Sequence, residues 1–168
     1  MKFSLGKNKV LAVLLALSVV IIGCSNSEVT VTEDMGQIIT DTIIEEGKDS
    51  VSSTDKQFEA HKIFGAEKKG GLTSIYLHTV YQGYDKVTGD KIKAGFSYPV
   101  LLKLAKEKNV YVVKEYWIPE DGAEYTKSIE EKFPEKYASK AINHKQDTVH
   151  ELTKEIQKEV DNWINSTK

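Results

Sequence analysis

The spacing of apolar residues changes several times along the chain, and each change marks an element. Residues 10–22 are almost continuously apolar; Lys2, Lys7 and Lys9 precede them, and Gly23, Cys24 and the polar Ser25-Asn26-Ser27-Glu28 follow. Residues 24–35 are mostly polar, rich in Ser, Thr and Glu, and read as a flexible tether in which Val29, Val31 and Met35 leave room for one short strand. Residues 36–47 place Ile38, Ile39, Ile43 and Ile44 on one broad helical face, with Gly47 as a C-terminal stop. A polar loop over residues 48–56 separates this helix from a region of shorter period. There residues 57–65, 72–84, 92–104 and 110–118 are dense in β-branched and aromatic side chains and read as four strands. Their connections, residues 67–71, 85–90 and 106–109, are short and polar, which favours an antiparallel meander.

Two details refine the strands. Pro99 lacks the N–H that a ladder needs, so it marks an edge position or a bulge. On the fourth strand, strict alternation puts Tyr111, Val113, Glu115 and Trp117 on one face and Val110, Val112, Lys114, Tyr116 and Ile118 on the other. Apolar groups on both faces imply a strand covered on both sides. Beyond the turn Pro119-Glu120-Asp121-Gly122, residues 123–133 read as a helix carrying Tyr125, Ile129 and Phe133, and Pro134 ends it or opens the next turn at 135–142. The last helix, residues 148–165, opens with the capping-box pattern Thr148-Val149-His150-Glu151 and carries Val149, Leu152, Ile156, Val160, Trp163 and Ile164 as one stripe.

These elements define an α+β fold: an N-terminal helix, a four-stranded antiparallel meander and C-terminal helices. By analogy of architecture it is cystatin-like or NTF2-like. The expected division is a signal segment over 1–23, a tether over 24–35 and one domain over 36–168.

Composition narrows the function. All 23 basic residues are Lys and none is Arg, so the guanidinium fork that grips phosphate or carboxylate in two places is absent. Net charge is −2, and −5 once Lys2, Lys7 and Lys9 leave, which is no footprint for nucleic acid. The Lys bias, with abundant Ile and Asn, suggests a low-GC Gram-positive source.

The N-terminal order of basic region, apolar core and small residues is that of a secretory signal. Its 13-residue apolar run is shorter than the ~20 residues that span a bilayer, and the rival reading is an uncleaved helix that begins near Phe3 and gains length from Leu5 and Gly6. The Ile21-Ile22-Gly23-Cys24 junction resembles the lipobox of bacterial lipoproteins. That resemblance implies cleavage before Cys24 and diacylation of its thiol, so the mature chain is anchored through a diacylglyceryl group. Cys24 is the only cysteine, so the mature domain then has no thiol for disulfides, metal or nucleophilic chemistry. Two acyl chains make membrane attachment stable where one does not.

A second resemblance covers residues 57–142. Val112-Val113-Lys114-Glu115-Tyr116-Trp117-Ile118-Pro119-Glu120-Asp121-Gly122-Ala123-Glu124-Tyr125, leading to Ile129 and Phe133-Pro134, looks like small Bacillus-type lipoproteins of unknown function. It is also similar to extracytoplasmic segments of BlaR-type antirepressor metallopeptidases. The resemblance implies an exported α+β accessory or regulatory domain, and it carries no catalytic residues.

Enzyme chemistry finds little support. Ser53-Thr54-Asp55-Lys56 has the Ser-x-x-Lys spacing of penicillin-recognising proteins, but Ser-Asp-Asn and Lys-Thr-Gly are absent. His61, His78, His144 and His150 form no His-x-His or His-x₃-His pair, and His-Glu-x-x-His is missing, so no metal site is expected. Adjacent carboxylates such as Glu120-Asp121 and Glu130-Glu131 do not converge when they lie on a helix. No cofactor is expected. A ligand pocket, if built, would gather Tyr76, His78, Tyr98 and Tyr116 on the concave side of the sheet.

The expectation is a non-enzymatic binding or sensory accessory lipoprotein at the outer face of the cytoplasmic membrane, with an envelope protein as partner. The alternatives are a small-ligand carrier or hydrolase with a pocket between sheet and helices, and an inhibitor or immunity protein for an envelope enzyme.

Overall fold

A computed structural model describes residues 27–50, 53–143 and 146–166, with the side chains of residues 49 and 50 excepted. The expectations for residues 1–23, for Cys24 and for His144 lie outside them. In chain order the elements are β1 (Ser27–Glu28), α1 (Glu33–Ser50), β2 (Lys56–Lys69), β3 (Leu72–Tyr84), β4 (Ile92–Glu107) and β5 (Val110–Trp117). They continue with α2 (Tyr125–Lys132), α3 (Glu135–Ile142) and α4 (Gln146–Ser166). The five strands form one antiparallel sheet in the order β1-β2-β3-β4-β5. The fold is α+β, and its meander carries one strand more than the apolar pattern predicts.

The added strand changes the reading of the N-terminal segment. Ser27 and Glu28 pair with Lys68 and Glu67, and the Val29 N–H donates to the Ala66 carbonyl at 3.0 Å. Thr32 Oγ1 then accepts the Met35 N–H at 3.4 Å, capping α1. Among the described residues, 27–35 are thus bound to the domain instead of tethering it. Backbone pairing of a two-residue edge strand leaves no mark on side-chain pattern, which is why polar composition reads as tether.

The β2–β3 and β4–β5 hairpins each turn in two residues with positive φ, Gly70-Gly71 (57° and 83°) and Lys108-Asn109 (47° and 70°). Such turns match the twist of the flanking strands. Pairing therefore runs through Lys69↔Leu72 and Glu107↔Val110, and the strands are longer than their apolar cores.

The sheet is covered on both faces. On one, Met35, Ile39 and Ile43 of α1 pack on Ala66, Ile75, Leu77, Tyr81, Val100, Leu102 and Leu104. On the other, α2 and α3 bring Ile129, Phe133, Tyr137, Ala138 and Ala141 against Tyr76 and Leu101. Alongside them, α4 lays Leu152, Ile156 and Val160 over Phe58, Ala60, Val80 and Tyr84. Each fully buried aliphatic side chain contributes about 1.5–3 kcal/mol. Pro134 cannot continue α2 and forces extended backbone at Phe133 (φ −101°, ψ 143°), and residues 135–142 then form α3 where a turn was expected. Tyr137 lies across Gly65, where a Cβ would fall 2.4 Å from its ring, so β2 needs glycine there.

Two sequence patterns mislead. A bulge between Lys103 and Leu104 interrupts the β4–β5 register, so Leu104 pairs with Val113 while Lys103 pairs with Glu115. The extra residue shifts the alternation by one. Tyr116 joins Tyr111 and Val113 under α1, and Trp117 turns to α2 and α3. The capping-box pattern also fails, because α4 begins at Gln146 and Thr148 is a buried residue within it.

Candidate binding site

The four residues expected to line one pocket divide two and two. Tyr76 and His78 lie on the face of α2–α4. Tyr76 is wedged between Phe133 (ring centroids 5.0 Å apart) and Tyr137 (4.8 Å). His78 is fully buried, its Nε2 2.8 Å from Ser97 Oγ. Tyr98 and Tyr116 lie on the α1 face, where burial pushes both phenols above their usual range. Alternation along β3 and β4, with the bulge opposite β5, separates the pairs, and no single cavity can hold all four.

A second polar group is buried beneath α1. Glu59, with 2% of its side chain exposed, accepts hydrogen bonds from Thr40 Oγ1 at 2.5 Å and Thr79 Oγ1 at 3.3 Å, and His61 Nδ1 lies 3.1 Å away. Both carboxylate oxygens are engaged, which a buried carboxylate requires. These contacts pin α1 to β2 and β3, and neither Glu59 nor His61 lines the cavities along β4. His61 and His78 sit on neighbouring strands but on opposite faces. Among the described residues no cluster of three His, Cys, Asp or Glu side chains could hold a metal ion.

What the fold leaves open is one half of β4. β5 pairs only with Leu101 to Glu107, and beyond Trp117 the chain leaves through Ile118 and the buried Pro119. Among the described residues no strand covers the outer edge of β4 from 92 to 100. Pro99 pairs with His78, and its missing N–H is tolerated where it faces outward. By alternation, the backbone groups of Gly95 and Ser97 face outward too.

Two cavities border this edge. An open groove of about 480 Å³ runs beside residues 92–97 and reaches Val149 and Thr153 of α4. A second, of about 280 Å³, lies between Gly95, Phe96, Ser97 and Tyr98 and the departing segment with Ile118, Asp121 and Tyr125. Phe96 is stacked between Tyr81 (4.7 Å) and Tyr98 (4.3 Å), so the aromatic row ends at the open edge. Ile92 (53% exposed) and Ile118 (38%) flank it with apolar surface. The residues missed by sequence reasoning are Phe96, Ser97 and Ile118. Pro99 was the one signal pointing to them.

The chain matches no protein family, no curated protein and no solved structure. No helix among the described residues is long and apolar enough to cross a membrane.

Proposed function

We propose that this protein is a lipid-anchored extracytoplasmic binding protein, held by a diacylated Cys24, that captures an extended segment of an envelope partner along the open half of β4. It works without catalysis. The observation that carries the reading is the unpaired edge at 92–100 with a cavity on either side. An added strand takes its affinity from main-chain hydrogen bonds and its specificity from pockets for alternate side chains. Hydrogen exchange tests it on the lipidated full chain with the partner retrieved from native membranes. Binding should slow the amides of Gly95 and Ser97 at least tenfold and leave β2 unchanged; unaltered exchange at both would reject strand addition.

A carrier is the second reading, supported by the position of the 480 Å³ groove between sheet and α4. It predicts that a small apolar probe binds with Val149 and Thr153 at its contact and is displaced by Val149→Trp.

A further inference from the structure

We infer that the open half of β4 pairs with the same half of a second copy across a two-fold axis at Phe96, a resting form that a captured segment must displace. The inference rests on the reading of this edge as a capture site and adds to it the occupant of the edge in the free protein.

Two irregularities bound the open stretch. The β3–β4 register skips Lys93, since Gly83 pairs with Ala94 and Tyr84 with Ile92, so a bulge ends regular pairing on one side. Pro99, without an N–H, ends it on the other. Residues 94–98 between them are regular, and their centre is Phe96. A second copy laid antiparallel, with Phe96 opposite Phe96, sets bulge against proline and regular run against regular run.

In that register the run is complementary to itself. Ala94 falls opposite Tyr98 and Phe96 opposite Phe96, all on the α1 face, so each of these pairs is apolar. The stacked rings of Tyr81 and Phe96, 4.7 Å apart, then continue into the second copy instead of ending at the edge. The outward backbone groups of Gly95 meet those of Ser97, and the two such pairs make about four main-chain hydrogen bonds. Ala94 and Gly95 of the second copy, the smallest residues of the run, come to the 280 Å³ cavity beside Ile118 and Asp121.

Charge agrees with the direction. Lys91 lies just before the run, and Glu120 and Asp121 lie beside its far end; all three are exposed and make no ion pair with the described residues. The two-fold carries Lys91 of each copy toward the carboxylates of the other, whereas parallel pairing would set like charges together. The axis stands perpendicular to the sheet, so the entry points at Ser27 lie at opposite ends of the dimer, and both reach one bilayer with the sheet lying along it. So small an interface belongs to the transient class, below about 1,200 Å² of buried surface. It covers an edge that is otherwise a hazard and still yields to an incoming strand.

The test uses the full lipidated chain in phosphatidylcholine vesicles, with the Cys24 thiol blocked by its lipid. Mild oxidation of vesicles carrying both Ala94→Cys and Tyr98→Cys chains should give a disulfide-linked dimer, because the paired Cα atoms are about 4.5 Å apart. Either variant alone should give less than about a tenth of that yield, since like positions lie about 13 Å apart. Slow exchange at the buried Ile75 and Leu77 in both variants shows that they are folded. In the unsubstituted chain, about tenfold higher density in the vesicle should slow the Gly95 and Ser97 amides several-fold by mass action and leave β2 unchanged. No cross-link in the mixture, equal cross-linking of the single variants, or exchange independent of density overturns the self-pairing. The retrieved envelope partner, added at low density where the edge is open, separates this inference from the capture reading. Slowed Gly95 and Ser97 amides without any cross-link defeat self-pairing alone, whereas a cross-link that the partner leaves at full yield defeats displacement and capture together.

Discussion

The two halves of β4 share one strand and one twist but have different neighbours. Leu101, Leu102 and Leu104 are at most 1% exposed, held between β3 and β5 with helices on both faces. Residues 92–98 are paired on one side only, and Ile92, Lys93, Gly95 and Ser97 are exposed. The half with two neighbours is core, and the half with one is surface whose outward amides have no strand to bond. A strand's role follows from what flanks it, and an unpaired edge is a hazard unless it is covered or used.

The largest expected effect contrasts the halves directly. Leu101→Ala removes buried contacts with Tyr76, Ile129 and Trp117 and should cost about 2–5 kcal/mol in urea unfolding, whereas Ser97→Ala should cost about 1 kcal/mol, the bond to His78. Equal losses would mean that the open half is as much core as the paired half.

A smaller effect sharpens the boundary where β5 is fastened. Glu115 is held below the usual carboxylate range by hydrogen bonds from Lys103 and Lys132, so it ties β5 to both β4 and α2. A depressed carboxyl stabilises the fold above its unfolded-state pKa, and that stability is lost as pH falls through the folded-state value. Unfolding midpoints should stay level from neutrality to mildly acid pH and drop below the usual carboxylate range. Glu115→Gln should lower the neutral midpoint by about 1 kcal/mol and flatten the acid drop. An unaltered acid profile in that variant would assign the drop to Glu28 and Asp85, whose carboxyls are likewise held down by Lys136 and Lys93.

The smallest effect on stability should be the largest on binding. Ile118→Asp alters an exposed side chain, and should move the urea midpoint by no more than about 0.5 kcal/mol. It places a charge at the mouth of the 280 Å³ cavity and should abolish strand capture in the exchange experiment. Retained capture would move the binding edge away from this cavity.

How much of this was legible depends on how local each signal is. β3 was read at its true ends, Leu72 and Tyr84, because turns bound a long run of β-branched and aromatic residues. The core stripes of α1 and α4 were equally plain, since each repeats at helical spacing. The faces of Tyr116 and Trp117 were not, because one bulged residue inverts every position after it. Tyr76, His78, Tyr98 and Tyr116 looked like one site because neither the β3–β4 register, which sets Tyr98 against Thr79, nor the bulge before Tyr116 is written in local pattern. Aromatic identity says that a side chain is buried, and only register says with what.

By itself the chain determined the number of long elements, their order, the short connections that make a meander, and the stripes that become core. Those depend on interactions within a few residues. The tertiary structure alone decided that 27–28 closes one edge, that the bulge divides the aromatics between two faces, and that β5 stops short and leaves half of β4 open. Each of these is a pairing between distant segments, and the free energy that selects it belongs to neither segment alone.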